Sequence, residues 1–266
     1  MVTKSFSKID WNLSLKEISK KVMQAREIVG NQKRTVSVLD QAIDTVQDFI
    51  VNLYLEKASL FQLVYMEERD KLDKGNRKLM KLALKNLEEV VDLTQKHVTA
   101  NGLDRWQSRV NRFYGRVRDY QEKYDEAIDF YKRALKFAKV DPEYKKEKTP
   151  RWLEYEAFIA YDVMKIGQTN KGLALSRALY NRFATGADGK FLKRKDYTTW
   201  AIWRTGVAIR AVEALINSGK KFDKKDALSW LAECEEILNP PKSIKTWADF
   251  KYRKNEIEAL RKQLNA

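Results

Sequence analysis

The chain has 266 residues, 44% of them apolar and 33% charged, enough to bury a core beneath a solvated surface, which excludes a mostly disordered chain. Lys and Arg number 52 against 37 Asp and Glu, a formal charge of +15 that attracts acidic proteins or polyanions and repels basic partners. Ten Gly, four Pro and no alternating β-branched runs are too little punctuation for strands and tight turns, while Leu, Ala, Lys, Glu, Gln and Arg dominate, so the class is all-α.

In chain order, Ser14, Leu15, Lys16 and Glu17 form a capping-box pattern that opens a first helix. Leu15, Ile18, Val22, Ala25 and Val29 continue it at helical spacing, and Gly30 with Asn31 stops it. From residue 33 to 74 there is neither Gly nor Pro, and Val36, Leu39, Ile43, Val46, Ile50 and Leu53 hold one helical register. One helix over residues 34–72 or two are both compatible with this pattern. A break near Asn52 is preferred, because helices near forty residues are rare in globular domains.

Gly75 and Asn76 precede a helix through Leu79, Leu82, Leu87, Val90 and Leu93, which Asn101 and Gly102 end. Helices are then expected over about residues 103–120 and 124–140. Thr149 and Pro150 read as an N-cap and first helical residue of the next helix, Gly167 divides that helix from its partner, and residues 186–189 form a flexible connection. Two helices flank Gly219, Pro240 and Pro241 close the second, and a last helix runs from about residue 245 to 264 with Trp247, Phe250, Ile257, Leu260 and Leu264 on one face. The turns at Gly30, Gly75, Lys123, Gly167 and Gly219 recur about every 45 to 50 residues, the spacing of one helix pair per repeat.

Residues 114–135 read YGRVRDYQEKYDEAIDFYKRAL. This segment resembles the tetratricopeptide repeat, with Gly115, Tyr124, Ala127, Tyr131 and Ala134 at the positions where small residues let paired helices approach and an aromatic fills the neighbouring hole. The match is loose around Ala160, Gly167, Leu173 and Leu179, and again around Ala227, Leu231 and Cys234. The resemblance implies a right-handed α-solenoid of about five antiparallel helix pairs with a C-terminal capping helix. Divergent pairs would occupy residues 1–102, tetratricopeptide-like repeats 103–240 and the cap 241–266, as one continuous solenoid.

Such arrays bind extended peptides or partner helices in the groove lined by their first helices. The resemblance places Arg109, Arg112, Arg116 and Asp119 in that groove, with Tyr120 alongside. Arg105 extends the stripe by a turn, since spacings of four, three and four put the arginines on one helical face. Guanidinium forks suit carboxylates or phosphates, so the expected partner is an acidic protein or peptide, with RNA as the alternative. A solvated helix face neutralised by nearby carboxylates is the plainer reading of the same stripe. The corresponding residues of the next pair, Glu154, Ala157, Tyr161 and Met164, do not continue it. Two basic loops, with Lys145, Lys146, Lys148 and Arg151, then Lys190, Lys193, Arg194 and Lys195, offer a second surface for a polyanion.

Nothing points to catalysis. His97 has no Cys or second His to share a metal with, and Cys234 takes the place of a small apolar spacer. Glu67, Glu68, Glu88, Glu89, Glu235 and Glu236 read as solvent-facing, and Trp152, Trp200, Trp203 and Trp230 as core. No phosphate loop, nucleophile elbow or zinc spacing is present. A non-enzymatic, cofactor-free, monomeric scaffold is expected. No apolar run approaches the ~20 residues that span a bilayer and residues 1–15 lack a leader's apolar stretch, so a cytoplasmic location is expected, which the single cysteine fits.

Overall fold

A computed structural model describes residues 16–17, 19–20, 32–70, 75–219 and 221–265. The helix expected from Ser14 lies outside the described residues except at four helical positions. Among the described residues there is no strand. The helices are α1 (Gln32–Asp70), α2 (Arg77–Ala100), α3 (Gln107–Tyr120), α4 (Tyr124–Phe137), α5 (Pro142–Glu147), α6 (Trp152–Lys165), α7 (Thr169–Thr185), α8 (Ala187–Lys195), α9 (Tyr197–Asn217), α10 (Lys224–Ile237) and α11 (Lys251–Asn265), with a 3-10 turn at Asp104–Trp106. No described helix is long and apolar enough to cross a membrane. The chain forms two compact units, one ending at Phe113 and the other beginning at Tyr114, so the boundary falls within α3.

In the first unit α1 packs along α2. The expected break at Asn52 is absent, and α1 is one helix of 39 residues. Its polar side chains reinforce the helix instead of diverting the chain: Asn52 donates to the Asp48 carbonyl (3.1 Å), Thr45 to that of Gln41 (2.7 Å) and Ser59 to that of Leu55 (3.1 Å). The buried stripe is Ala42, Val51, Leu55 and Ala58, against Ala83, Leu87, Val90, Val91 and Val98 of α2. Leu39, Ile43, Val46 and Leu53, which carry the register in the sequence, are exposed. The smaller stripe wins because Ala42 and Ala58 leave room for α2 to approach. Asn76 caps α2 by accepting from the Leu79 amide (3.0 Å), and its own amide donates to Glu68 (2.8 Å), so Glu68 is buried rather than solvent-facing.

In the second unit α3 meets α4 through Gly115, where a Cβ would lie 2.4 Å from the ring of the fully buried Tyr131. Tyr114 and Phe130 stack between the same helices, centroids 4.9 Å apart. Next, α4 packs on α6, and α6 packs on α7 and α9. Gly172 permits the α6–α7 approach, since a Cβ there would sit 2.3 Å from Met164 Cγ. Helix α9 is the centre of this unit, touching α6, α7, α8, α10 and α11. Trp200, Ala201, Val207, Ala208 and Val212 on it meet Leu153, Phe183, Leu231, Cys234, Ile257 and Leu264. Trp200 is buried as expected, while Trp152, Trp203 and Trp230 are half-buried around the same core.

Three boundaries differ from expectation. Asp141 caps and Pro142 opens the short α5, while α6 begins at Trp152, two residues after Pro150. The connection at 186–189 is instead the start of α8, where Asp188 accepts from Arg182 (2.6 Å) and Trp152 (2.8 Å) and pins the first turn. Helix α11 begins at Lys251, because Phe250 turns the backbone to φ 57° and Asp249 accepts from the Lys251 amide (3.0 Å). Trp247 therefore lies outside the helix and is 48% exposed.

Candidate functional site

The arginine stripe is distributed over different environments. In the first unit Arg105 sits in the 3-10 turn, its Nε 2.8 Å from Asp48 Oδ1 and Nη2 3.6 Å from Asp44. The same Asp48 oxygen accepts from Trp106 Nε1 at 2.5 Å. Arg109 lies over the Trp106 ring, and Arg112 donates to Gln62 (3.0 Å) and covers the Phe113 ring. In the second unit Arg116 is buried, 7% exposed, and is ion-paired with Asp119 while donating to the Tyr120 hydroxyl (2.8 Å). Its guanidinium rests 4.5 Å from the Tyr120 ring centroid and 4.7 Å from that of Phe158. Burial pulls Arg116 down, but Tyr120, Asp119 and Tyr131 outweigh it and hold it well above the ordinary arginine range. Its charge is spent inside the fold.

Asp119 also accepts from the Tyr131 hydroxyl (3.0 Å) and faces Asp162 of α6, which is fully buried. Among the described residues, neither Asp162 oxygen, nor Oδ1 of Asp119, meets a donor from another residue. Two facing carboxyls satisfy one another only when one carries a proton. Burial first, then the charge of Asp119 and a hydrogen bond to it, push Asp162 far above the usual carboxylate range, so it is the protonated member at neutral pH. Of this buried carboxyl pair the sequence offered only Asp119, as a groove residue; Asp162 lies on another helix, and only packing brings the two together.

The two basic stretches meet in the second unit. Lys145 and Lys146 are exposed on the last turn of α5, and Lys148 follows with φ 58°, its ammonium 5.3 Å from the Tyr144 centroid. Arg151 is held by Glu143 (Nη2 to Oε2, 2.5 Å) and by Glu154 (3.8 Å). Lys193, Arg194 and Lys195 form the last turn of α8. Lys145, Lys146, Lys193 and Lys195 stand on helices, not in loops as expected, because the Asp141 cap and the pinned Asp188 turn nucleate α5 and α8. Lys195 donates to the Glu147 carbonyl and lies 3.6 Å from its carboxylate, joining the ends of α5 and α8.

Around that junction lies an open cleft of about 650 Å³, lined by Glu147, the 193–195 run, Asp196, Tyr197, Ile244, Lys245 and Trp247. The Trp247 indole donates to Asp196 (3.0 Å) and its amide to Thr198 (3.1 Å), which fixes the ring at the rim. Of the two carboxylates, Asp196 caps α9 by accepting from Thr199, and Glu147 faces Lys195. Lys193 lies 4.7 Å over the Trp200 centroid, and neither it nor Arg194 nor Lys245 has a carboxylate partner among the described residues. Sequence reading missed Lys245 and Trp247 because both were assigned to the last helix; Asp249, a capping residue, was the available signal.

Cys234 is fully buried with its sulfur 3.9 Å from the Tyr180 hydroxyl, and burial pushes its thiol up to about 12. His97 lies in the last turn of α2 with its ring 6.2 Å from that of Tyr54. No group of three or more His, Cys, Asp or Glu able to hold a metal occurs among the described residues. No family model matches the chain, and no curated protein or solved structure matches it either.

Proposed function

We propose that the chain is a non-enzymatic helical-repeat scaffold that binds an acidic protein segment. The reading takes α3–α4, α6–α7 and α9–α10 as successive antiparallel, tetratricopeptide-like pairs of a solenoid, with α11 as the cap. Two contact patterns support it: each first helix meets the preceding pair (α6 on α4, α9 on α6 and α7), and α11 covers α9 and α10. The working surface is the cleft at the end of α8. The observation that carries this is the set Lys193, Arg194 and Lys245, cations without carboxylate partners beside an exposed, fixed indole. An acidic segment carrying an apolar side chain complements both features. Arg116 and Asp119 serve the fold in this reading, since each already holds the other.

The test is fluorescence anisotropy of a labelled Asp/Glu-rich peptide against the protein and its Arg194→Glu, Lys245→Glu double variant. Reversing two rim charges lowers affinity by about 10-fold or more at low salt. Equal affinity for both proteins refutes the assignment. The exposed Trp247 ring also favours a second reading, single-stranded RNA with a base stacked on the indole. That reading requires a steep salt dependence on an oligouridylate and loss of binding in Trp247→Ala.

A further inference from the structure

Away from the cleft, α9 and α11 bring two guanidinium groups together over a glycine. A Cβ built on Gly206 would lie 3.1 Å from Arg253 Nη2 and 3.2 Å from Arg210 Nη1, so both forks converge on the bare backbone face of α9. Arg253 has a counter-charge, with Nη1 2.6 Å from Glu256. Arg210 has none: its contacts among the described residues are the Gly206 carbonyl (3.3 Å) and the face of Phe158, 4.7 Å away. Asp162, which feels the charge of Arg210, is protonated, and the charge of Asp119 is committed to Arg116. Two cations therefore share one carboxylate in a half-buried setting, an arrangement that like-charge repulsion opposes unless an anion joins it. Burial first, then Arg253 and Arg116, lower Arg210 to about 10, which still leaves it charged at neutral pH.

We infer that Arg210 and Arg253, converging over Gly206, form a binding site for an oxyanion, a phosphate or carboxylate group. Each guanidinium presents a planar fork of N–H donors, and two forks brought together over one glycine can turn donors that the fold leaves unused onto the oxygens of a single anion. Glycine at 206 lets both guanidinium groups lie this close to α9. The site is separate from the cleft at α8 and does not depend on the acidic-partner reading.

Thermal unfolding is measured with inorganic phosphate, O-phosphoserine or acetate, each against sodium chloride at equal ionic strength. The site predicts a saturable rise in melting temperature of about 3–6 °C at roughly ten times the dissociation constant for at least one oxyanion, and none for chloride. Arg210→Met removes the unmatched charge, so it keeps the resting melting temperature or raises it and abolishes the oxyanion response. Gly206→Ala would meet only the ends of two flexible side chains; it folds and weakens the response by about 10-fold through the displaced forks. A response to phosphate or O-phosphoserine alone assigns a phosphoryl group, free or esterified by which is stronger, and one to acetate assigns a carboxylate. No oxyanion response beyond chloride, or an undiminished one in Arg210→Met, overturns the site.

Discussion

Replacing Asp162 with Asn tests the buried carboxyl pair directly. In an unfolded chain an aspartate titrates near about 3.9. In the fold, burial and Asp119 hold Asp162 protonated through neutral pH. Its folded value is thus raised, so the native state binds the extra proton and stability falls as pH rises above the unfolded value. Each pH unit in that window costs about 1.4 kcal/mol, which bounds the cost at pH 7 at about 4 kcal/mol. Below about pH 3.9 the group is neutral in both states and the cost vanishes. Asparagine keeps an N–H donor for Asp119 and cannot ionise. Asp162→Asn is therefore expected to stabilise the second unit by about 1–4 kcal/mol at pH 7 and to change little at about pH 3.5. Urea unfolding followed by circular dichroism at several pH values reads both. If the variant instead loses more than about 1 kcal/mol at pH 7, Asp162 is an ionised partner of the nearby arginines and the argument fails.

Further outcomes follow from single contacts. Gly115→Ala drives a Cβ into the fully buried Tyr131 ring and should cost about 1–3 kcal/mol or more in urea unfolding; a neutral result would mean α3 and α4 are not this close. Asp48→Ala leaves Arg105 and the Trp106 indole without their shared acceptor and should destabilise the first unit by about 1–2 kcal/mol, reduced from a buried case because Asp48 is partly exposed. The Cys234 thiol, pushed up by burial, should react with a disulfide reagent at pH 8 at least about 100-fold more slowly in the native protein than in urea; comparable rates would contradict its burial.

The all-α class and most helix positions in the second unit were legible in the sequence. Helical periodicity and punctuation are local: Asp196 and Asp223 cap α9 and α10, Gly167 and Gly219 take positive φ at turns, and Gly115 with Tyr131 marks a close helix contact. Local signals failed where a second element decided the outcome. Helix length alone argued for a break near Asn52, yet α2 packs along α1 and the asparagine bonds its own helix. The apolar stripe through Ile43 and Leu53 looked like the core face, but α2 selected the stripe with alanines.

The candidate sites show the same division. Composition determined that the surface is strongly basic, and the runs at 145–148 and 193–195 determined where cations are dense. Which charges remain available was decided by tertiary contacts, because a guanidinium is neutralised by whatever carboxylate the fold places beside it. Arg116 lost its availability to Asp119, and Arg105 to Asp48. Arg194, picked from the sequence, and Lys245 and Arg210, which were not, kept theirs because among the described residues no carboxylate forms an ion pair with them.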